Sequence, residues 1–341
     1  MAVLVTGGAG YIGSHAVKAL LAAGRRVVVF DDFSAGHRGA CAALQTVAAR
    51  DQLTVVEASI ADTDRVAETC RTHDVDAAMH FAAWLSVADS VHDPAGYYRN
   101  NVAGSIGLFD GLCRAGVTRL IFSSTCATYG EPQRVPIDET HPQQPINAYG
   151  ETKLAVERAL PHFETAYGLR SVALRYFNAA GADPDGLLGE DHSPEIHIIP
   201  RAIFAARGTD SLHVFGTDYP TPDGTCLRDY IHVTDLADAH VRALESLEAG
   251  SPSARFNVGT GVPRSVTDVI DAVSRVAGRQ VPHTFGPRRP GDPSTLFAAN
   301  AAIREALGWE PRYAELDAIV GTAWRWFDAH PHGYGDRGSV C

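Results

Sequence analysis

The chain has 341 residues, of which 45% are hydrophobic and 20% charged, so it is neither a disulfide-stapled mini-protein nor a disordered tail. Its length suits one large domain or two closely joined ones. With 29 Lys and Arg residues against 40 Asp and Glu residues, the formal net charge is -11. Because this charge repels polyanions, we expect broad binding neither to nucleic acid nor to anionic lipid.

The cysteines are scattered and form no C-x-x-C pair, and no group of His and Cys has zinc-ligand spacing, so the sequence predicts no metal site. They are Cys41, Cys70, Cys113, Cys126, Cys226 and Cys341. Such scatter is typical of the reducing cytoplasm, which we predict as the location. The start of the chain has no basic leader, and no stretch approaches the roughly 18 apolar residues of a membrane span, so neither a signal peptide nor a membrane segment is predicted.

Short apolar runs bounded by turn residues alternate with helical patterns in the first half of the chain. The predicted strands are residues 3–6, 26–30, 53–57, 77–81, 119–123 and 171–176, and the predicted helices are 12–23, 62–72, 94–115 and 147–167. Strands and helices that alternate at this spacing form right-handed crossovers. The pattern therefore predicts an α/β fold, a Rossmann-like doubly wound parallel sheet with helices on both faces.

The alternation ends near residue 178. Gly, Pro, Asp and His crowd residues 181–194, another such stretch covers 216–224, and later helices are predicted at 235–247, 266–276 and 313–327. We interpret this half as a smaller C-terminal α/β substrate lobe whose loops close over a site. The predicted domains are therefore 1–178 and 179–341, with an approximate boundary because the lobes are expected to exchange segments.

A glycine-rich turn joins the first predicted strand to the first helix. Gly7, Gly10 and Gly13 give the pattern G-x-x-G-x-x-G, which permits a tight turn, a close approach to a pyrophosphate and close packing of helix on strand. The helix N-terminus then offers free N–H groups and a favourable dipole to phosphate. Asp31 ends the second strand, where a carboxylate accepts from a ribose 2′-hydroxyl and repels a 2′-phosphate. The sequence therefore favours NAD over NADP.

The pattern Y-x-x-x-K at Tyr149 and Lys153 places two side chains on one helix face, about 6 Å apart. A phenol titrates near 10, and a cation at that distance lowers its pKa by about two units at an effective dielectric of about 20. The positive nicotinamide ring of NAD adds to this effect, so Tyr149 is a candidate general base. A third group at the end of the fifth strand should bind the substrate hydroxyl. Thr125 is the first choice for it, with Ser123 and Ser124 as alternatives.

Longer sequence blocks resemble the extended short-chain dehydrogenase/reductase family and, within it, the UDP-glucose (UDP-galactose) 4-epimerases. The resemblance covers nearly the whole chain. Its blocks are TGGAGYIGSH at 6–15, HFAA at 80–83, YYRNNV at 97–102, FSSTCATYGEP at 122–132, AYGETK at 148–153, RYFNAAGA at 175–182, FGTDYPTPDGTCLRDYIHVTDLADAH at 215–240, FNVGTG at 256–261 and RRPGD at 288–292. The last four narrow the match to members that act on sugar nucleotides.

The resemblance implies three sets of site residues. The implied catalytic residues are Thr125, Tyr149 and Lys153. The implied NAD contacts are Gly7, Gly10, Tyr11, Ile12, Gly13, Asp31, Asp32, Ser34, Ser59, Ile60, Phe81, Ala82, Ala83, Asn100, Ser123, Tyr149, Lys153 and Phe177. The implied UDP-sugar contacts are Thr125, Asn178, His197, Ile198, His213, Phe215, Arg228, Arg289 and Asp292. Guanidinium groups suit the diphosphate, and no metal is implied.

The chain departs from the family pattern at four positions outside these blocks. Ser59 stands where many members have Asp near the adenine, Leu85 where some carry a lysine on the cofactor, and His197 where Asn is common. Leu296 stands where a bulky Tyr narrows the sugar pocket in some members, so an N-acetyl group would have more room.

The activity implied by the resemblance is reversible inversion at carbon 4 of a UDP-hexose, which interconverts UDP-glucose and UDP-galactose through a 4-keto intermediate with NAD retained. UDP-xylose/UDP-arabinose and UDP-N-acetylglucosamine remain open as substrates. A 4,6-dehydratase would need an acid–base pair after Thr125, where this chain has Cys126 and Ala127. A non-catalytic NAD-sensing regulator would not need Y-x-x-x-K. By resemblance, helices 94–115 and 147–167 form a homodimer contact.

Overall fold

A computed structural model describes residues 2–289 and 292–336 of the chain. Among these residues the largest sheet has seven strands, all parallel. They are β1 (Ala2–Thr6), β2 (Arg26–Asp31), β3 (Leu53–Glu57), β4 (Val75–His80), β5 (Arg119–Thr125), β6 (Arg170–Tyr176) and β10 (Ala254–Val258), in the order β10-β6-β5-β4-β1-β2-β3.

Helices cover both faces of this sheet, and further helices lie in the second half of the chain. They are α1 (Tyr11–Ala22), α2 (Arg38–Val47), α3 (Thr63–Thr72), α4 (Val87–His92), α5 (Pro94–Tyr97), α6 (Gly104–Arg114), α7 (Ala148–Tyr167), α8 (Ile198–Arg207), α9 (Val233–Glu248), α10 (Val266–Ala277), α11 (Ala301–Leu307) and α12 (Leu316–Ala329). None of them, within the described part of the chain, has both the length and the hydropathy needed to cross a membrane.

Successive side chains of each strand point to opposite faces of the sheet, and each face therefore has its own apolar core. Val3 and Val5 of β1 pack with Leu20 of α1 on one face, whereas Leu4 packs on the other face with Phe109 and Leu112 of α6. Because strands buried on both faces need apolar residues at every position, they appear in the sequence as continuous hydrophobic runs. The Rossmann-like doubly wound fold predicted from these runs is confirmed.

The remaining strands form smaller sheets beside the main one. They are β7 (Asn178–Ala180), β8 (Leu212–Phe215), β9 (Leu227–His232), β11 (Pro263–Ser265), β12 (His283–Gly286) and β13 (Thr295–Leu296). Strand β9 pairs with β7, β11 and β13, and β8 pairs with β12. Helices α8, α10 and α12 pack together around a separate apolar core that includes Ile203, Val273 and Trp326.

Residues on both sides of position 178 build the main sheet. Strand β10 pairs with β6 along its whole length, and α9 packs against α1. Neither β10 nor the strands of the smaller sheets were predicted, because they are short and surrounded by Gly and Pro. Helices α2, α4, α8 and α11 were also missed.

Two predicted helices differ from the structure. The helix predicted at 94–115 is helical from Pro94 to Arg114, but a π-helical segment, Tyr98–Ala103, separates its α-helical parts α5 and α6. Within it, Asn101 bonds the backbone of Trp84 through both ends of its amide, at 2.9 and 3.0 Å. The last helix begins at Leu316 instead of 313, because Asp235 accepts hydrogen bonds from the N–H groups of Arg312 and Tyr313 and holds them outside the helix.

Candidate active site

A cavity of about 380 Å³ opens at the carboxyl ends of the main strands. The chain runs outward from β1 to β3 and then returns to β4 on the other side of β1, and this reversal leaves a crevice where ligands bind in open α/β sheets. Side chains of the smaller sheets, among them Arg228 on β9 and Leu296 on β13, complete its wall.

The glycine-rich turn lies at the bottom of this cavity. Gly7 has a φ of +68°, and a Cβ added there would lie 2.6 Å from the amide nitrogen of Ala82. A Cβ added at Gly13 would lie 2.1 Å from the carbonyl oxygen of Gly7. Real side chains do not tolerate such distances, so both positions require glycine. The resulting close packing brings the N-terminus of α1 to the cavity, as a pyrophosphate site requires.

Asp31 lies at the end of β2 on the cavity wall. Its carboxylate accepts hydrogen bonds from the N–H groups of Ala9 at 3.0 Å and Phe33 at 2.9 Å, which fix its orientation. Burial raises its pKa above the ordinary value. The nearby Arg38 is paired with Glu57 at 2.7 Å. A carboxylate held in this way fits the ribose hydroxyls of NAD better than a 2′-phosphate.

Thr125, Tyr149 and Lys153 line the cavity together. Thr125 ends β5, and Tyr149 lies in the first turn of α7, whose N-terminus is capped by the side chain of Asn147. A Cβ added at Gly150 would lie 2.6 Å from the carbonyl oxygen of Ala127, so glycine allows α7 to pack closely on the turn after Thr125. This packing brings the Tyr149 hydroxyl within hydrogen-bonding reach of Thr125.

The neighbouring serines have other partners. The Ser123 carbonyl accepts a hydrogen bond from the Lys153 ammonium at 2.9 Å. The hydroxyl of Ser123 donates to the hydroxyl of Tyr176 at 2.9 Å. The Ser124 hydroxyl donates to buried Glu157, which is paired with Arg175 at 2.6 Å. Three residues were candidates for the group that binds the substrate hydroxyl. Of these, only Thr125 is among the described residues that line the cavity.

The predicted lowering of the Tyr149 pKa by Lys153 is not found among the protein's own groups. Burial raises the pKa of Tyr149 well above 10, and the hydrogen bond with Thr125 offsets only part of this rise. Burial also lowers the pKa of Lys153 to about 8. Desolvation was absent from the sequence argument, and it is the largest cause of the pKa shift of both groups.

Most of the predicted cofactor residues lie on the cavity wall. They are Gly7, Gly10, Tyr11, Ile12, Gly13, Asp31, Asp32, Ser34, Ile60, Phe81, Ala82, Ala83, Asn100, Tyr149, Lys153 and Phe177. Ser123 lies behind the wall, where it holds Lys153. Ser59 is exposed after β3, and its hydroxyl accepts from the N–H of Ala61 at 3.3 Å.

The predicted substrate residues divide into two groups. Thr125, Asn178, His197 and Arg228 line the cavity, whereas Ile198, His213, Phe215, Arg289 and Asp292 do not. Asp292 forms an ion pair with Arg228. The guanidinium of Arg289 stacks on the ring of Phe215, 3.9 Å from its centroid. His213 is 2.8 Å from the hydroxyl of Thr284.

Several wall residues were not predicted as site residues. They include Ala35, Gly36, Trp84, Val87, Cys126, Ala127, Tyr176 and His192. Tyr176 and Cys126 could have been found, since each ends or follows a predicted strand at the carboxyl edge of the sheet. His192 belongs to a loop whose course no local pattern indicates. Leu85 and Leu296, noted as departures from the family pattern, both lie on the wall.

Comparisons with known proteins show the family of the chain. Residues 3–259 match the model of the NAD dependent epimerase/dehydratase family. The UDP-glucose 4-epimerase of Lacticaseibacillus casei is 48% identical over 338 residues, which are 99% of this chain and 100% of that protein.

Solved structures are similar over the same length. The structure of UDP-glucose 4-epimerase from Brucella ovis in complex with NAD has a TM-score of 0.90 and 50% identity, covering 95% of this chain and 98% of that one. That of UDP-glucose 4-epimerase from Bifidobacterium longum in complex with NAD+ and UDP has a TM-score of 0.92 and 33% identity, covering 98% and 100%. The chain therefore belongs to the NAD dependent epimerase/dehydratase family.

Proposed function

We propose that this protein is an isomerase, a UDP-sugar 4-epimerase that interconverts UDP-glucose and UDP-galactose. The observation that carries the proposal is the meeting of Thr125, Tyr149 and Lys153 with the glycine-rich turn in one cavity. NAD held at this turn would accept the hydride from carbon 4 of the sugar and return it within the same turnover. The relatives named above carry the same activity in their names.

Tyr149 acts as the general base toward the 4-hydroxyl of the sugar, directly or through the hydroxyl of Thr125. Its phenol needs a cationic neighbour because burial alone keeps it protonated. Lys153 is fixed by the carbonyl of Ser123 and supplies a positive charge below its pKa of about 8. In the second half of the turnover, when the hydride returns to carbon 4, the phenol gives the proton back to the new 4-hydroxyl. No net proton is therefore consumed.

The UDP part is held by the half of the wall that follows residue 178. Arg228 lies on this wall and pairs with Asp292, so a diphosphate would exchange one anionic partner for another. We propose that residues 1–178 carry most of the NAD contacts and residues 179–341 most of the UDP-sugar contacts. With UDP anchored, the 4-keto sugar can turn its other face without leaving the protein.

Incubation of the purified protein with UDP-glucose, without added cofactor, tests the proposal. We expect conversion to UDP-galactose with no net change in nicotinamide absorbance. Formation of a 4-keto-6-deoxy sugar would assign the protein to the dehydratases. Burial raises the pKa of the Cys126 thiol to about 12, so neither Cys126 nor Ala127 supplies the acid–base pair of that reaction. No conversion of any UDP-sugar would favour the non-catalytic regulator.

UDP-N-acetylglucosamine is a second candidate substrate, because Leu296 lines the cavity at the position where a larger ring would narrow it. The same assay with this sugar and with UDP-xylose, run in parallel and with the 4-epimers resolved, ranks the three substrates by kcat/KM. An N-acetyl sugar converted as fast as UDP-glucose would make the protein a dual-specificity epimerase.

We further propose that the protein is a cytoplasmic homodimer. Tyr98 of the π-helical segment is 44% exposed, and Tyr167 at the end of α7 is 61% exposed. Large exposed aromatic side chains on these helices suit a contact with a second copy. Sedimentation velocity measures the mass directly, and a monomer at micromolar concentration would contradict the proposal.

A further inference from the structure

Four side chains, one of them the implied UDP-sugar contact His197, meet at one edge of the cavity. Glu190, His192, Glu195 and His197 all come from the loop between β7 and α8. One ligand atom from each lies within 4.8 Å of the others. His192 and His197 also lie on the cavity wall.

The donor atoms of this cluster lie close enough together to reach one ion. Nδ1 of His192 is 3.1 Å from Oε1 of Glu190, and Nδ1 of His197 is 2.5 Å from the same oxygen. Nδ1 of His197 is also 3.4 Å from Oε1 of Glu195. In a tetrahedral zinc site with bonds of about 2.0–2.2 Å, neighbouring donor atoms lie roughly 3.3–3.5 Å apart. Small movements of the side chains would therefore complete such a shell.

These close neighbours pair as ions, but their contacts lack the linear geometry of hydrogen bonds. Oε1 of Glu190, Nδ1 of His192 and Nδ1 of His197 are buried, and each has no hydrogen-bond partner among the described residues. The Glu190 side chain is only 3% exposed, so this carboxylate oxygen has exchanged water for the two facing imidazoles. Donors around a metal ion show this arrangement, because their lone pairs point at a common centre and not at each other. A buried carboxylate also requires a cation nearby.

We propose that Glu190, His192, Glu195 and His197 form a binding site for a divalent transition-metal ion, with Zn²⁺ as the best fit. Imidazole and carboxylate together suit Zn²⁺, whereas Mg²⁺ and Ca²⁺ take oxygen ligands. The two carboxylates balance the charge of the ion. Four protein donors fill a tetrahedral shell, which is the form of a structural site and not of a catalytic one.

The ion fixes the loop that carries its four ligands. All four come from an eight-residue stretch immediately before α8, E-x-H-x-x-E-x-H in the sequence. The sequence prediction of no metal site relied on cysteine pairs and on zinc-finger spacing, and this pattern has neither. Coordination through Nδ1 leaves Nε2 of both histidines uncoordinated, so the wall keeps a polar surface toward the cavity.

Titration of the untagged, chelator-treated full-length protein with CoCl₂ and ZnCl₂ tests the site. We expect one Co²⁺ per chain with the intense visible bands of tetrahedral coordination, and loss of these bands when one equivalent of ZnCl₂ is added. The thermal midpoint should rise with the concentration of ZnCl₂, since the ion binds the folded state. No binding, or only the pale spectrum of octahedral Co²⁺, would overturn the proposal.

Three variants locate the ion. His192→Gln should weaken Zn²⁺ binding by more than the roughly 10- to 100-fold that loss of an outer-shell partner costs. Glu195→Gln keeps an acceptor for the N–H groups of Ile196 and His197, both 2.8 Å from Oε1, so it removes the ligand charge without unfolding the loop. His92→Gln changes an exposed histidine at the end of α4 and is the matched control. Equal Zn²⁺ affinity in all three variants would exclude this cluster as the site.

Discussion

Lys153 donates a hydrogen bond from its Nζ atom to the carbonyl oxygen of Ser123 at 2.9 Å, and this bond ties the first turns of α7 to the end of β5. The ammonium group is therefore held at one point beneath the cavity, where it also lies over the ring of Phe122. A fixed, desolvated cation acts on its neighbours more strongly than a solvated one. Lys153 thus serves both as a support for the helix and as a source of charge.

Replacement of Tyr149 by Phe removes the proposed base and keeps the ring. We expect turnover to fall by about 10²- to 10⁴-fold, the usual contribution of a general base, while UDP-sugar binding stays within a factor of two to three. Steady-state kinetics and calorimetric titration with UDP measure the two effects. Near-normal turnover would remove Tyr149 from the mechanism.

Replacement of Lys153 by Met removes the charge that favours the phenolate. A contribution of roughly 3 kcal/mol corresponds to a fall in kcat of about 100-fold. Because Lys153 acts through Tyr149, the double variant Tyr149→Phe/Lys153→Met should be little slower than Tyr149→Phe alone. Multiplication of the two single effects in the double variant would show that Lys153 acts independently.

Replacement of Gly13 by Ala places a methyl group 2.1 Å from the carbonyl oxygen of Gly7. The turn must shift, so we expect the protein to lose its bound NAD and to melt several degrees lower, as a change of about 1–3 kcal/mol implies. NAD released on denaturation and the thermal midpoint are the measurements.

Gly321→Ala is the matched control for this change. Gly321 lies inside α12, and an added Cβ would meet only the end of the flexible Arg325 side chain, at 3.7 Å. Alanine should be neutral there or stabilise the helix by up to about 1 kcal/mol. Retention of NAD by Gly13→Ala at wild-type occupancy would contradict the role assigned to the turn.

Buried histidines should make the protein sensitive to acid. Burial lowers the pKa of His80 to about 3 and that of His240 to about 4. Since the unfolded state binds protons near pH 6.5 and the folded state does not, the free energy of unfolding should fall as the pH drops from about 6.5 toward 4. Above pH 6.5 these histidines are neutral in both states and contribute no pH dependence.

His240→Phe isolates one of these groups. Nε2 of His240 has no hydrogen-bond partner among the described residues, and its ring lies 4.7 Å from that of Phe81, so a phenyl ring fits the site. The slope of the unfolding free energy against pH should decrease by up to about 1.4 kcal/mol per pH unit below pH 6.5. Urea unfolding at several pH values measures this slope, and an unchanged slope would mean that His240 titrates normally.

If UDP-N-acetylglucosamine is a substrate, a larger side chain at position 296 should hinder its binding. Leu296→Tyr should lower kcat/KM for UDP-N-acetylglucosamine by about 10-fold or more and leave that for UDP-glucose nearly unchanged, because only the larger sugar needs the space. Leu296→Met, which conserves the volume, is the control. Equal losses with both sugars would place Leu296 outside the part of the wall that selects the substrate.

Local patterns account for what the sequence predicted well. The turn at Gly7–Gly13, the carboxylate of Asp31 and the pair Tyr149/Lys153 each depend on a few neighbouring residues, so their spacing identifies them. The predicted strands depend on continuous apolar runs, which are also local.

Features that depend on distant residues were not predicted. The pairing of Arg228 with Asp292 and the burial that raises the pKa of Tyr149 both require the folded chain. The π-helical segment also contains such a contact, since Asn101 within it accepts a hydrogen bond from the N–H of Trp84.

The position of β10 has a consequence for synthesis and truncation. Strand β6 stays at the edge of the main sheet until Ala254–Val258 has left the ribosome, because that segment is its outer neighbour. During this interval the nascent chain exposes unpaired backbone groups that another strand can bind. A fragment that ends after β6 should therefore aggregate or require a chaperone, although it contains every residue of the glycine-rich turn and of the Tyr149/Lys153 pair.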